Sequence, residues 1–144
     1  YGDWSSDVCS SDLLLKAITK AMAPLVPPAF DALAGLEMGG IPVATLLAQQ
    51  TGKPCLFVRK QAKTYGTCKL AEGGEVQGRR LVIVEDVVTS GGAILDGVAE
   101  LRKLGAQIET VLCIIDRESG GAENLRKQGL ELRPLFRQSE LNVA

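Results

Sequence analysis

Short, wholly apolar runs alternate along this chain with longer stretches in which apolar residues recur every three or four positions. The first pattern is typical of strands buried on both faces, and the second of helices with one buried face. The predicted strands are 30–36, 54–59, 80–85, 108–116 and 130–135. The predicted helices are 14–23, 41–51, 93–104 and 118–128. This order predicts an α/β fold, a parallel sheet covered by helices on both faces.

A polar stretch with several glycines, 60–77, separates the second and third predicted strands. Connections of this length without structure of their own are usually functional or disordered. We therefore expect a long mobile loop here.

Composition narrows the class of protein. The chain has 144 residues, of which 46% are hydrophobic, and this suggests one domain with a real core. A formal net charge of −1 gives no sign of a nucleic-acid partner, and the apolar runs are too short to cross a membrane. Histidine is absent and the four cysteines have no CxxC spacing, which disfavours a zinc site and suggests reduced thiols in the cytoplasm.

The first 13 residues differ from the rest, because they are rich in Ser and Asp and show no periodicity. Residues 2–13 can be back-translated in one frame into a sequence that resembles a short-read sequencing adapter. We interpret 1–13 as a non-native tail and 14–144 as the domain, which then lacks the natural segment that preceded Leu14. A natural disordered tail is the alternative.

Three polar loops follow predicted strands, at 37–40, 85–92 and 116–121, where open α/β sheets bind ligands. The middle loop is the richest, because its TSGG sequence lets the backbone approach a ligand and leads into a helix N-terminus. These features predict an anion site, with an ordinary strand-to-helix turn as the alternative. The loop matches neither GxxxxGK[ST] nor GxGxxG, which disfavours an ATPase or a dinucleotide enzyme.

Two carboxylates, Glu85 and Asp86, stand just before this turn. Carboxylates accept strong hydrogen bonds from sugar hydroxyls, so the combination suits a ribose 5-phosphate. Adjacent strand residues point to opposite faces, so one of the two could instead lie on the surface.

The stretch 82–94, VIVEDVVTSGGAI, resembles the 5-phosphoribosyl 1-diphosphate (PRPP) motif of type I phosphoribosyltransferases. The resemblance implies that family's fold, a Rossmann-like parallel core with a flexible catalytic loop. It also implies a run of PRPP-binding residues. These are Glu85, Asp86, Val87, Val88, Thr89, Ser90, Gly91, Gly92 and Ala93.

The cations of RKQAKTYG, which are Arg59, Lys60 and Lys63, precede the polar loop. Cations there could neutralise a departing diphosphate, although a solvated basic surface is the alternative. The segment resembles orotate phosphoribosyltransferases, many of which carry His where Tyr65 stands. The resemblance adds Arg59, Lys60, Lys63 and Tyr65 to the PRPP-binding residues.

A third loop, DRESGG, offers Arg117, whose planar guanidinium can pair bidentately with a carboxylate. A surface salt bridge with Glu118 or Glu123 is the alternative. The loop resembles the orotate-contacting segment of the same family, which implies that Arg117 and Thr89 bind orotate. EMGGIP resembles the family's diphosphate loop, where some members carry lysine at the position of Gly39.

Taken together, the resemblance implies transfer of ribose 5-phosphate from PRPP to orotate, giving orotidine 5′-monophosphate and diphosphate. Lys63, Glu85 and Asp86 would be the catalytic residues. Mg²⁺ would be held mainly by PRPP, with no direct protein ligand. A cytoplasmic homodimer with shared sites is implied, in which Arg59 serves the neighbouring subunit.

Three alternatives remain open at this point. The chain could be a purine phosphoribosyltransferase or a PRPP-sensing regulator of the same fold. It could also be inactive by itself, or far less active, because family members carry an N-terminal segment that helps to cover the orotate site.

Overall fold

The computed structural model describes residues 12–61 and 69–142 of the chain. The helices are α1 (Asp12–Met22), α2 (Gly40–Thr51), α3 (Gly92–Lys103), α4 (Gly121–Lys127) and α5 (Gln138–Leu141), with a 3₁₀ turn at Ala23–Leu25. The strands are β1 (Ala32–Leu36), β2 (Cys55–Val58), β3 (Ala71–Glu72), β4 (Arg80–Val88), β5 (Gln107–Asp116) and β6 (Glu131–Arg137).

The six strands form one sheet in the order β3-β2-β1-β4-β5-β6. All neighbours are parallel except β2 and β3, which pair antiparallel. From β1 the chain adds β2 and β3 toward one edge of the sheet, and from β4 it adds β5 and β6 toward the other edge. The carboxyl ends of β1 and β4 therefore form the switch point at which open α/β sheets leave a crevice for ligands.

Each face of the sheet has its own apolar core, which confirms the prediction of helices on both sides. On one face α1 and α2 pack on residues such as Leu33, Val82 and Val84. On the other face α3 and α4 pack on residues such as Ala34 and Ile83. Burial from both sides explains why the strands read as continuous apolar runs rather than as alternating patterns.

The largest correction concerns β4, which was predicted to end at Glu85 but continues to Val88. Its last residues pair with β5 in register, Val87 with Ile115 and Val88 with Asp116. The acidic pair therefore lies within the strand and not in a loop after it. Ladder hydrogen bonds and the burial of Val88 outweigh the low strand propensity of the carboxylates.

Other helix and strand boundaries also differ from the predicted ones. Helix α4 begins three residues later than predicted, because Gly120 turns the backbone at a φ of 90° just before it. Strand β1 begins at Ala32 rather than at residue 30, and β6 runs to Arg137 rather than to 135. The short strand β3 and helix α5 were not predicted, since two to four residues carry no periodic signal. Within the described ranges, no helix combines the length and the apolar character that a membrane crossing requires.

Candidate active site

A cavity of about 220 Å³ opens at the switch point between β1 and β4. Its lining includes Glu37 from the end of β1, Arg59 and Lys60 from the end of β2, Glu85 from β4 and Ala93 from α3. Parallel strands bring these residues together because their carboxyl ends meet at one edge of the sheet. A larger groove of about 660 Å³ lies beyond Lys60, beside the C-terminal end of α3, but it contains neither the acidic pair nor the TSGG turn.

The acidic pair is partly buried and internally hydrogen-bonded. The Asp86 N–H donates to Glu85 Oε1 at 3.0 Å, and the Val87 N–H donates to Asp86 Oδ1 at 2.7 Å. Burial and, to a smaller extent, the adjacent Asp86 carboxylate together raise the pKa of Glu85 to about 8, against the opposing effects of the Asp86 backbone N–H and of Lys60. Glu85 is therefore largely protonated at neutral pH in this state.

Both carboxylates face enclosed surroundings, although neighbouring strand residues normally alternate. Glu85 lines the cavity beside α3, whereas Asp86 lies against Gly39 at the start of α2. Strict alternation would place Val84 and Val87 on opposite faces of the sheet. Both pack toward α1 and α2, so the alternation is interrupted between them. The alternative that one acid is only a surface residue does not describe this structure.

Gly39 and Gly40 let the turn after β1 approach β4 closely. A Cβ at Gly39 would overlap the carboxylate of Asp86, and one at Gly40 would overlap the carbonyl oxygen of Val84. Gly39 was read from the sequence only as the absence of a lysine. The structure adds that a side chain at this position would collide with the Asp86 carboxylate in its present position.

The TSGG turn presents backbone donors to solvent. Gly91 has a φ of 83° and caps α3, and the first helical bond runs from the Leu95 N–H to the Gly91 carbonyl at 2.9 Å. The preceding N–H groups have no acceptor within the helix, as at any helix start. Thr89, Ser90 and Ala93 are exposed around them. The turn therefore has the free backbone donors that the predicted anion site requires, and the binding of an anion there stays a prediction.

The turn is braced from α4. The Asn124 side chain donates from Nδ2 to the Ser90 carbonyl at 3.0 Å. Gly121 packs so closely that a Cβ there would overlap the Thr89 carbonyl oxygen. Val88 is 1% exposed, so any contact of this residue with PRPP would come from its backbone.

Two of the predicted cations lie beside the acids. Lys60 donates its backbone N–H to Glu37 Oε1 at 2.5 Å. Arg59 Nη2 lies 3.8 Å from Glu72 Oε1 on β3. Lys63 and Tyr65 lie outside the described residues, so their predicted roles stay predictions.

Arg117 follows β5 directly, with its side chain exposed. Its N–H donates to the Val88 carbonyl at 2.9 Å, which places it next to Thr89. The alternative salt bridges are not formed: Glu123 pairs with Arg126 at 2.9 Å, and the Glu118 carboxylate binds Ser139. Arg117 therefore forms neither of these salt bridges, and its role at the site stays a prediction.

Sequence reasoning named the loop of Glu37 without giving this residue a role, and it missed Asp96 and Asn124. Glu37 binds the backbone of Lys60, Asp96 lines the cavity, and Asn124 braces the turn. Nothing in the local sequence could have identified Asn124, because its acceptor lies 34 positions earlier in the chain. As for metals, within 12–61 and 69–142 no three His, Cys, Asp or Glu side chains are grouped as a metal site would require.

The fold and the site define a class of protein. Residues 12–132 match the phosphoribosyl transferase domain family. The chain is also similar to the orotate phosphoribosyltransferase of Nocardioides sp., at 49% identity over 131 residues, which cover 91% of this chain and 73% of that protein. It is 39% identical to the orotate phosphoribosyltransferase of Methanocella arvoryzae over 92% of this chain and 75% of the relative.

A solved structure agrees with these relatives. The Mycobacterium tuberculosis H37Rv orotate phosphoribosyltransferase, in complex with PRPP, superposes with a TM-score of 0.83 at 27% identity, covering 96% of this chain and 82% of that one. The chain belongs to the orotate phosphoribosyltransferase family, within the type I phosphoribosyltransferases. This confirms the family that the motifs indicated, and neither the purine enzyme nor the PRPP-sensing regulator is favoured.

Proposed function

We propose that this protein transfers the 5-phosphoribosyl group of PRPP to orotate, giving orotidine 5′-monophosphate and diphosphate. The observation that carries the proposal is the continuity of β4, the TSGG turn and α3 at the sheet's switch point. The acids lie near the end of β4, the backbone donors begin α3, and the Arg117 N–H binds the Val88 carbonyl between them, which supports their binding of a single ligand.

The turn at 89–93 would hold the 5′-phosphate through the free N–H groups of α3 and the hydroxyls of Thr89 and Ser90. Asp86 and Glu85 would hold the ribose hydroxyls. In its protonated form Glu85 can donate a hydrogen bond, and the positive charge that develops on the ribose ring favours its ionised form. The acids therefore orient the sugar and stabilise positive charge, and neither is needed as a nucleophile.

The diphosphate would lie toward the end of β2, where Lys60 lines the cavity. Lys63 and Tyr65 would join it, and Arg59 would act in a neighbouring subunit of a homodimer. Mg²⁺, when bound, would neutralise charge on the diphosphate. The phosphates and ribose oxygens of PRPP would supply most of its ligands, in keeping with the tendency of Mg²⁺ to retain few protein ligands.

Orotate would be held by Arg117, through its carboxylate, and by Thr89. The attachment of Arg117 to the Val88 carbonyl supports this assignment, because it places the backbone of Arg117 beside the turn that would hold the phosphoribosyl group. Bidentate binding of the carboxylate by arginine would also favour orotate over purine bases, which lack that group. We place the reaction in the cytoplasm, in the synthesis of pyrimidine nucleotides.

The test is consumption of orotate by the chain with PRPP and Mg²⁺, with adenine and hypoxanthine as competing acceptors. We expect turnover of orotate alone, and a fall of roughly 100-fold or more in Lys63→Ala, which removes a cation from the leaving group. Binding of PRPP, measured by calorimetry, gives a second readout that does not need turnover. Consumption of a purine in place of orotate would refute the proposal.

A further inference from the structure

Glu118 is the one residue other than glycine with a positive φ in the described chain, at 56°. An L side chain disfavours this left-handed conformation, which glycine adopts freely. Glycine at this position would carry less backbone strain, so the contacts of the glutamate side chain must offset that strain.

The carboxylate of Glu118 has two partners on the C-terminal segment. The Ser139 N–H donates to Glu118 Oε2 at 2.8 Å, and the Ser139 hydroxyl donates to Oε1 at 3.1 Å. Both oxygens are engaged, and both bonds go to the first turn of α5. Pairing of β6 with β5, which sets Arg137 opposite Asp116, carries α5 to this place.

The backbone around Arg117 is fixed on both sides. Its own N–H donates to the Val88 carbonyl at 2.9 Å, and the next N–H, that of Glu118, donates to Asp116 Oδ1 at 2.9 Å. Asp116 is itself buried, with 4% exposure. The side chain of Arg117 is exposed, so these bonds fix the backbone from which the guanidinium extends.

We propose that Glu118 is a positioning residue for Arg117, and that Ser139 thereby makes the segment after β6 part of the orotate site. The inference rests on the proposed function. The Glu118–Ser139 pair aims the guanidinium before orotate arrives, so that less freedom is lost when the carboxylate binds. It should affect the binding of orotate and leave that of PRPP alone, because the TSGG turn is braced separately by Asn124.

The test is steady-state kinetics of Glu118→Gly, which removes the carboxylate and also relieves the backbone strain, so that the fold is kept. We expect the KM for orotate to rise about tenfold, with kcat and the KM for PRPP within about twofold of wild type. Ser139→Ala keeps the backbone donor and should raise the KM for orotate only about threefold. Glu123→Ala, which removes an exposed carboxylate on α4, should change neither KM.

A double-mutant comparison separates positioning from direct contact. In an Arg117→Ala background, adding Glu118→Gly should change the KM for orotate by less than twofold, because the guanidinium that Glu118 positions is absent. A full tenfold effect in that background would mean that Glu118 acts on orotate directly, and the proposal would be wrong.

Two further results would overturn the proposal: an unchanged KM for orotate in Glu118→Gly, or an equal rise in both KM values. If Glu118→Gly does not fold, Glu118→Gln replaces it, and it should give an intermediate rise since its amide keeps one acceptor oxygen. A wild-type chain that neither consumes orotate nor binds PRPP refutes the proposed function itself. That result is obtained before any variant is compared.

Discussion

The acidic end of β4 and the TSGG turn are neighbours in sequence, but they offer a ligand different kinds of group. At 85–86 these are partly buried carboxylates, and burial raises the pKa of Glu85 to about 8. At 89–93 they are mainly backbone N–H groups at an exposed helix start, whose positive character does not depend on pH. The first region should therefore be sensitive to charge, and the second to backbone conformation.

The largest effect is expected for Asp86→Asn, which keeps the shape of the side chain and removes its charge. We expect kcat/KM to fall roughly 100-fold or more, because the carboxylate no longer holds the ribose or balances positive charge on it. Steady-state kinetics with PRPP varied measures the change. Glu100→Gln, at an exposed acid that pairs with Lys103 on α3, is the control and should be neutral. A fall in kcat/KM of less than threefold in Asp86→Asn would mean that the acids take no part in the mechanism.

The second prediction concerns stability and pH at Glu85. Its pKa is about 8 in the folded state and 4.5 in the unfolded chain, so between these values the folded state binds one more proton. The free energy of unfolding should then fall as pH rises through this window, by about 2 kcal/mol between pH 6 and 8, and level off above it.

Glu85→Gln should abolish most of this loss, since glutamine does not titrate. Urea unfolding of both proteins at pH 6 and pH 9 measures the difference, and Glu123→Gln, at an exposed carboxylate, is the matched control. Parallel pH profiles for wild type and Glu85→Gln would show that Glu85 is ionised in the folded protein at neutral pH.

Gly91→Ala tests the turn, with a smaller effect. The added Cβ would meet Leu125 at 3.4 Å, an ordinary contact, so the cost comes from the φ of 83°. We expect a loss of about 1 kcal/mol in stability and about a tenfold fall in kcat/KM, because the N–H groups shift.

Gly129→Ala is the control for Gly91→Ala. It has a φ of 72° and open space around the added Cβ, so it should lose similar stability and no activity. Equal activity losses in the two variants would show that the TSGG turn has no specific role in activity.

The smallest effect is expected for Asn124→Ala, which removes the bond from α4 to the Ser90 carbonyl. The solvent exposure of this hydrogen bond limits the loss to about threefold in the KM for PRPP and less than about 1 kcal/mol in stability. Titration with PRPP measures the binding change. Lys127→Ala, at an exposed residue of α4, should leave both quantities unchanged; an effect of Asn124→Ala on kcat alone would contradict its role as a brace.

The layer architecture and the main chemistry could be predicted from the residues alone. Wholly apolar runs such as 111–115 can be buried only when both faces of a sheet are covered, so the α/β order followed directly. The stretch 82–94 carries its acids and its glycine turn on consecutive residues, so local order alone indicated a phosphoribosyl site. DRESGG likewise placed an arginine directly after a strand.

Only the tertiary structure decided how far β4 runs and what surrounds its acids. Pairing with β5 extends the strand to Val88, and the enclosure of Glu85 raises its pKa, an effect that depends on neighbours distant in the chain. The Glu118–Ser139 pair joins residues 21 positions apart, and it forms because β6 lies beside β5. Such contacts leave no periodic trace in a sequence, since they depend on which strand ends meet at one edge of the sheet.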